Sequence, residues 1–307
     1  MDMIRIFCPA TVSNLSCGFD VLGLALEEVG DEMTIRRTSG SELSILQSEG
    51  PEIPLDPDQN VAGVAARSLL DHLGIQDGFA IEIAKRIKPG SGIGSSAASA
   101  AGAVWGLNQM LGTPLSNQEL LTHAMTGEAV ASNAWHADNV APCLLGGFVL
   151  IRSYDPLDVI QLSFPKDLAL AIIHPHLEIK TAESRARLGD KILLKNAVAQ
   201  WGNLGGLISG LASGDHGLIS RSLEDHVAEP LRKHQIPRFD AMKSAAIEAG
   251  ALGFGISGSG PSVYALCKGL DPAKEIGRHI AHSFEPQGIP FDLYCSRIHP
   301  EGIRIIP

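Results

Sequence analysis

The sequence contains little that could build a disulfide framework or a zinc centre. It has five cysteines among 307 residues. Their number is odd, they lie far apart, and no Cys-x-x-Cys pair occurs. Small secreted domains and zinc sites carry closely spaced, paired cysteines, so this usage indicates a reducing compartment.

Positive charge and long apolar runs are also scarce. The chain has 24 Lys and Arg against 34 Asp and Glu, a formal net charge of −10. An acidic surface repels nucleic acid and anionic membranes, so neither is an expected partner. The most apolar segment, 97–111, contains polar residues and is too short to span a bilayer. The N-terminus lacks a basic region followed by an apolar run. We therefore expect a cytoplasmic protein.

The segment 89–98, Pro-Gly-Ser-Gly-Ile-Gly-Ser-Ser-Ala-Ala, is the most informative part of the chain. It lies between a strand-like run at 79–83 and a helix-like segment at 96–111. Its glycines permit positive φ and a close approach to a ligand, and its two serines are candidate N-caps. Free amides at the positive end of a helix dipole form an anion site, and phosphate is the usual anion. The alternative is a turn that only joins a strand to a helix.

This glycine loop differs from two familiar phosphate-binding loops. No lysine follows the last glycine, which excludes a Walker A loop, and the Gly-x-Gly-x-Gly spacing differs from a Rossmann turn. A Gly-x-Ser-x-Gly elbow is also missing, which argues against a hydrolase.

Strand-like and helix-like segments alternate along a chain that is long enough for two domains. A stretch at 154–167, with proline and several aspartates, is the best candidate boundary, and it predicts domains at 1–160 and 161–307. Strands with helices on one side favour an α+β fold over a doubly wound parallel sheet. We expect helices at 60–73, 96–111, 116–136, 193–213, 219–229 and 238–249, and strands at 3–8, 21–26, 33–36, 43–46, 79–83, 147–152, 168–174, 255–256, 262–267 and 291–297.

The segment 9–20 is a second candidate site. A strand leads into it, and Asn14 and Asp20 place polar groups on the loop that follows. An amide that donates and accepts, beside a carboxylate, suits a ligand with hydroxyl and ammonium groups. An Asx-turn, in which both side chains bond their own backbone, is the alternative.

Further polar groups occur near the middle of the chain. Glu128 offers oxygen atoms suited to Mg²⁺, and His136 follows it eight residues later, at the start of His-Ala-Asp-Asn-Val-Ala-Pro. A solvated glutamate and a histidine that caps the helix would explain the same residues.

Two arginines and a second glycine loop complete the candidate sites. Arg185, in the pattern Thr-x-x-x-Arg that begins at Thr181, and Arg232 could hold a carboxylate or phosphate in a bidentate manner, although exposed arginines are often only solvated. The segment 255–262, Gly-Ile-Ser-Gly-Ser-Gly-Pro-Ser, is either a second backbone cradle or a surface turn.

Taken together, the segments 9–20, 89–98 and 255–262 resemble the three ordered motifs of the GHMP small-molecule kinase family. Within it, Asn14, Asp20, Arg185, Arg232 and the segment 136–142 resemble the members that phosphorylate homoserine. The resemblance spans essentially the whole chain. It implies an N-terminal domain similar to ribosomal protein S5 domain 2, with a left-handed βαβ unit, and a ferredoxin-like C-terminal domain.

The resemblance also implies ATP, Mg²⁺ and a homodimer, with transfer of the γ-phosphoryl group to the hydroxyl of L-homoserine. Ser96 and Glu128 would hold the metal. Catalytic roles would fall to Asn139, Asp20 and Arg185. The implied homoserine-binding residues are Asn14, Asp20, His136, Asn139, Thr181, Arg185 and Arg232. The implied nucleotide-binding residues are Asn60, Pro89, Gly90, Ser91, Gly92, Ile93, Gly94, Ser95, Ser96 and Ala97.

Asn139 stands where many relatives of the family have an aspartate. An amide cannot accept a proton at neutral pH, so we hypothesise catalysis by positioning and charge neutralisation, with Asp138 as the residue that could overturn it. Two other functions stay open from the sequence. One is a sibling enzyme, such as a sugar or mevalonate-type kinase or a diphosphate-dependent decarboxylase, and the other is a non-catalytic ATP-binding scaffold.

Overall fold

The computed structural model describes residues 1–132, 137–179, 181–189 and 191–307. Its strands are β1 (Met3–Ser13), β2 (Leu22–Arg37), β3 (Leu43–Glu49), β4 (Phe79–Ala84), β5 (Phe148–Tyr154), β6 (Leu157–Leu162), β7 (Leu168–Pro175), β8 (Gly253–Ile256), β9 (Val263–Lys268), β10 (Phe291–Arg297) and β11 (Arg304–Ile305). Its helices are α1 (Val61–Leu73), α2 (Ser95–Met110), α3 (Asn117–Ser132), α4 (Ala137–Leu145), α5 (Thr181–Ala186), α6 (Leu194–Ser213), α7 (His216–Ser222), α8 (Glu229–Arg232), α9 (Phe239–Glu248) and α10 (Leu270–Phe284).

The first sheet has seven strands, with the main path β11-β1-β2-β4-β3. β5 pairs with the first part of β2 and with β6. β3 and β4 are parallel and are joined through α1, whereas the other pairs of this sheet are antiparallel. Helices α1, α2 and α3 pack on one another, and α2 also packs on β1. Because β11 pairs with β1, the last residues return to the first sheet.

The second sheet is antiparallel, in the order β10-β7-β9-β8. Its last strand in the chain therefore lies beside its first, which is the arrangement of a β-α-β-β-α-β ferredoxin-like unit. Helix α10 packs on β7, β9 and β10. These two sheets with their helices confirm the expected two-part α+β fold. Among the helices of the described ranges, none is long and apolar enough to cross a membrane.

Strand β7 lies between two hydrophobic cores, which explains its apolar sequence. Successive side chains of a strand point to opposite faces. Leu168, Leu170 and Ile172 belong to the core that also contains the first sheet, α1 and α2. Ala169, Ala171 and Ile173 belong to the core formed with α9 and α10. The packing of the two sheets is therefore continuous through β7.

Several predicted elements differ from the observed ones. The predicted strands 21–26 and 33–36 are parts of the single strand β2. The predicted helix 219–229 is wrong: α7 ends at Ser222, and Asp225 then accepts hydrogen bonds from the N–H groups of Val227, Ala228 and Glu229, so a new turn starts there. Helix α10 has no counterpart in the sequence analysis. The helix predicted at 116–136 is observed as α3 up to Ser132, and the next four residues lie outside the described ranges.

The predicted boundary at 154–167 contains strand β6, which forms a hairpin with β5. The change from the first sheet to the second falls between Leu162 and Leu168, at the end of this stretch. The division at residue 160 stays a prediction.

Candidate active site

A cavity of about 600 Å³ brings together the motifs found along the sequence. Its wall combines the loop after β1, the glycine loop before α2, and the loop between β8 and β9. The predicted site residues that line it are Asn14, Asp20, Asn60, Pro89, Gly90, Gly92, Gly94, Ser95, Ser96, Glu128, Asn139, Arg185 and Arg232. Segments that are distant in the chain therefore meet around one space.

Three predicted residues lie outside the wall of the cavity, and for two others the structure does not describe the side chain. Ser91, Ile93 and Ala97 are buried in the loop and helix, outside the wall of the cavity. His136 lies outside the described residues. Thr181 begins α5, but its side chain is not described. Their predicted contacts with ligands stay predictions.

The start of helix α2 differs from the expected one. Gly94 is the N-cap, with φ 72° and ψ 32°, and the two serines are the first residues of the helix. A left-handed cap allows the sharp turn from loop to helix, and glycine adopts it without a steric penalty. The first intrahelical amide bond runs from Ala98 to the Gly94 carbonyl (2.9 Å). The amides of Ser95, Ser96 and Ala97 precede it and are available to an anion.

Close packing explains why glycine occupies this loop. A Cβ at Gly94 would lie 2.0 Å from Thr11 Oγ1, and a Cβ at Gly92 would lie 2.7 Å from the Ser257 carbonyl oxygen. The second glycine loop reinforces the first, because Ser257 Oγ donates to the Gly92 carbonyl at 2.7 Å. Gly258 also lines the cavity. The two glycine loops thus lie against each other at one site.

A buried lysine below the glycine loop was missed by the sequence analysis. Lys85 Nζ lies 2.5 Å from Asp31 Oδ2 and donates to the Ser95 carbonyl (2.6 Å) and to Ser99 Oγ (2.9 Å). The Lys85 and Asp31 side chains are 2% and 1% exposed. Ser95 Oγ donates in turn to the Ile87 carbonyl. The only sequence signal was a lysine at the end of a strand, just before the loop. This network fixes the first turn of α2 to the end of β4.

The predicted metal ligands are adjacent. Ser96 Oγ donates to Glu128 Oε1 at 2.9 Å. Glu128 lies on α3, and burial raises the pKa of its carboxyl to about 7. A hydroxyl and a carboxylate are the hard oxygen donors that Mg²⁺ prefers. A divalent cation would stabilise the ionised carboxylate that burial disfavours.

The loop after β1 has an unusual backbone. Asn14, Leu15 and Ser16 have φ values of 71°, 44° and 59°, and Asp20 has φ 60°. Left-handed conformations of non-glycine residues are costly and cluster at functional sites. Asn14 stabilises the turn: its Nδ2 donates to the Gly258 carbonyl (2.7 Å), and its Oδ1 accepts from the Asp20 amide (2.9 Å). Asn14 therefore joins this motif to the second glycine loop.

The two arginines have different partners. Arg185 forms a bidentate pair with Asp20, with N···O distances of 3.2 and 2.5 Å, and this hydrogen bonding raises the pKa of Arg185. Arg232 is only 4% exposed, and burial lowers its pKa. Its Nη1 donates to the Gly258 carbonyl at 3.1 Å, and its Nε has no hydrogen-bond partner among the described residues. No carboxylate among the described residues forms an ion pair with Arg232.

Asn139 and Asp138, at the start of α4, also line the cavity. Asn139 Oδ1 accepts from Thr11 Oγ1 (2.8 Å), and its Nδ2 donates to Ser13 Oγ (2.9 Å). Its carboxamide is therefore held in one orientation. Asp138 is 2% exposed, and its Oδ1 has no partner among the described residues. Burial, with the nearby charge of Asp20, raises the pKa of Asp138 to about 7.

Asn60 lines the cavity as the N-cap of α1. Its Oδ1 accepts from the Ala62 amide at 2.8 Å, and its Nδ2 donates to the Pro54 carbonyl at 2.6 Å. Both polar groups of the side chain thus have partners within the protein. Its predicted place beside the adenine stays a prediction.

Comparisons with known proteins agree with this arrangement. Residues 60–147 match the GHMP kinases N terminal domain, and residues 207–285 match the GHMP kinases C terminal domain. The chain is similar to the homoserine kinase of Chloroherpeton thalassium, with 42% identity over 319 residues and complete coverage of both chains. The crystal structure of homoserine kinase from Cytophaga hutchinsonii has a TM-score of 0.95 and 46% identity, and covers 100% of this chain and 98% of that one.

A likeness to mevalonate kinase is more distant. The L. major mevalonate kinase structure has a TM-score of 0.73 at 18% identity, and the alignment covers 95% of each chain. At that identity the likeness shows the fold alone. The two domain matches and the full-length similarity show that this chain belongs to the GHMP kinase family.

Proposed function

We propose that this protein transfers the γ-phosphoryl group of ATP to the hydroxyl of L-homoserine, forming O-phospho-L-homoserine and ADP in threonine biosynthesis. Relatives that carry this activity in their names are 42% and 46% identical to it over the full chain. The residues around the cavity fit each part of the reaction.

The observation that carries the substrate assignment is the buried guanidinium of Arg232. A buried charge needs a compensating partner, and none of the described carboxylates supplies one. The α-carboxylate of an amino-acid substrate would be that partner in the cavity. Neutral alcohols such as sugars would leave the guanidinium uncompensated, which favours an amino acid over a sugar.

The glycine loop and α2 fit the phosphates of ATP. The amides that precede Ala98 would face an anion bound at the positive end of a 16-residue helix. Ser96 and Glu128 provide oxygen ligands for Mg²⁺ beside those amides. When bound, Mg-ATP supplies the phosphoryl group, and the metal offsets the charge of the phosphates.

The protein's own contribution is orientation and charge neutralisation. Arg232 holds the substrate carboxylate, with Arg185 beside it, while Asp20 attracts the ammonium group. The substrate hydroxyl oxygen forms a bond to the γ-phosphorus as the bond to the β,γ-bridging oxygen breaks, and the hydroxyl proton passes to an oxygen of the transferred phosphoryl group. Asn139, held by Thr11 and Ser13, contributes a fixed dipole beside the substrate.

Asp138 tests whether a general base participates. Its carboxyl lines the cavity, and its raised pKa of about 7 would suit a base. For base-free catalysis we expect Asp138→Asn to keep kcat within about tenfold of the parent. A fall of roughly 10²–10⁴-fold in kcat with an unchanged KM for homoserine is the signature of a lost base, and it would refute this mechanism.

The direct test of the function is ADP release with Mg-ATP and L-homoserine, compared with 3-aminopropan-1-ol, which lacks the carboxylate. Turnover restricted to the amino acid supports both the activity and the arginine site. Equal turnover of the two would contradict the role of the arginines. Turnover of mevalonate or a sugar instead would identify a sibling kinase, and ATP binding without transfer to any alcohol would identify a scaffold.

We also propose that the enzyme is a homodimer in the cytoplasm. The support for a dimer is an apolar surface at the start of α6, where Leu193, Leu194 and Trp201 are 63%, 72% and 62% exposed. Contiguous exposed apolar side chains mark association surfaces, and a second copy would bring an equally apolar face. The five free cysteines fit a reducing compartment. Light scattering of the parent and of Trp201→Glu tests the assembly, and a monomeric parent would exclude it.

A further inference from the structure

One aromatic ring lies beside both arginines of the site. The guanidinium carbon of Arg232 is 5.1 Å from the centroid of the Phe19 ring, and that of Arg185 is 5.8 Å away. Both distances are within the range of cation–π attraction. Among the described residues, the two arginines line the cavity, whereas Phe19 does not. The ring therefore lies beside the arginines and outside the wall of the cavity.

The Phe19 ring offsets part of the electrostatic repulsion between the two arginines. The two guanidinium groups repel each other: burial lowers the pKa of Arg232 and the charge of Arg185 adds to this, although the charge of Asp20 opposes it. Within the described part of the chain, Arg232 forms a single hydrogen bond, from Nη1 to the Gly258 carbonyl. The negative face of an aromatic ring attracts both cations without forming an ion pair that would compete with a substrate carboxylate.

The local backbone places the ring. Phe19 follows Gly18, where a Cβ would lie 2.4 Å from Leu22, and precedes Asp20 in the left-handed conformation. A guanidinium is planar, with its donors along the edge and its faces free for stacking. Asp20 binds the edge of Arg185, and the neighbouring Phe19 ring stabilises the same group.

We propose that Phe19 is a positioning residue that holds Arg185 and Arg232 at a shared carboxylate site and thereby sets the selectivity for an amino-acid substrate. This inference rests on the proposed function. Loss of the ring would leave the arginines present but mutually repelled and less ordered. The affinity for the substrate carboxylate would fall, while the phosphate site at α2 would keep its network of Lys85 and Asp31.

The test compares Phe19→Leu with Phe19→Tyr, which keeps the aromatic face. We expect Phe19→Leu to raise the KM for L-homoserine about tenfold, which corresponds to about 1.4 kcal/mol, with kcat and the KM for ATP nearly unchanged. The ratio of kcat/KM between L-homoserine and 3-aminopropan-1-ol should fall by a similar factor. Phe19→Tyr should retain the parent's KM for L-homoserine and its selectivity ratio.

Phe164→Leu is the matched control, because Phe164 is also half-buried but packs on Phe148, away from the arginines. It should leave both KM values unchanged. The inference is overturned if Phe19→Leu has the parent's KM and selectivity, or if it raises the KM for ATP as much as that for homoserine. Absence of homoserine turnover in the parent protein would instead refute the proposed function.

Discussion

Removal of one member of the Lys85–Asp31 pair should destabilise the protein strongly. In Asp31→Asn, the buried ammonium of Lys85 would lose the carboxylate that lies 2.5 Å away. If the NH2 group of the new asparagine pointed toward Lys85, two hydrogen-bond donors would face each other. If the amide oxygen turned to Lys85 instead, the amides of Arg86 and Ile87, which donate to Asp31 Oδ1 at 2.8 Å, would lose their acceptor. Breaking a buried pair in this way costs about 3–5 kcal/mol. That is a large part of a typical stability of about 5–15 kcal/mol.

The assay is urea unfolding followed by circular dichroism, with the KM for ATP measured in parallel. Lys85→Met should lose a similar free energy of unfolding, and the double variant should lose about 2–3 kcal/mol less than the two single losses together, because neither charge is then left alone. Glu82→Gln is the matched control, since it breaks the partly exposed pair with Arg36, whose N···O distance of 2.6 Å is similar, and it should cost no more than about 1 kcal/mol. The reasoning fails if Asp31→Asn costs no more than Glu82→Gln.

Three further predictions concern the cavity. Gly94→Ala should raise the KM for ATP far more than Gly90→Ala in a steady-state assay. Both glycines have positive φ, but only a Cβ at Gly94 would collide with Thr11. Equal effects of the two substitutions would show that backbone strain alone raises the KM. Arg232→Met should raise the KM for homoserine by about 10–100-fold with little change in the KM for ATP, because a charge-assisted hydrogen bond contributes about 1.5–3 kcal/mol. An unchanged KM for homoserine would show that the substrate carboxylate binds elsewhere. Glu128→Gln should abolish Mg²⁺-dependent turnover yet unfold at higher temperature than the parent at pH 8. Burial raises the pKa of Glu128 from 4.5 to about 7, so the folded state resists ionisation. The stability contributed by this carboxyl is complete below pH 4.5 and is lost as the pH rises through about 7, a change of about 3 kcal/mol. The test is thermal unfolding of the parent and of Glu128→Gln without metal, at pH 4.5 and at pH 8. The reasoning is wrong if the variant does not melt at a higher temperature than the parent at pH 8.

Features that depend on neighbouring residues were predicted well. Helix α1, Val61–Leu73, agrees with the predicted helix at 60–73, and Asn60 and Gly74 cap its two ends. The glycine loop lies between a strand and a helix, and its amides are free at the helix start. These features follow from hydrogen bonds and φ values within a few residues, so a single chain segment contains the information. The helix predicted at 219–229 was wrong for an equally local reason: its apolar residues have helical spacing, but Asp225 stabilises a turn within the segment.

Residue types and their order were enough for the sequence to determine the chemistry of the site: amides for an anion, oxygen ligands for a divalent cation, and guanidinium groups for a carboxylate. Tertiary structure alone decided how these groups are paired. It placed Asp20 against Arg185, left the buried Arg232 without an ion pair to any carboxylate of the described residues, and set Phe19 beside both arginines. It also buried Lys85 beneath the glycine loop, where no motif had indicated a role. Burial and ion pairing depend on segments far apart in the chain, and the strength of a charge depends on how much water the packed fold removes from it.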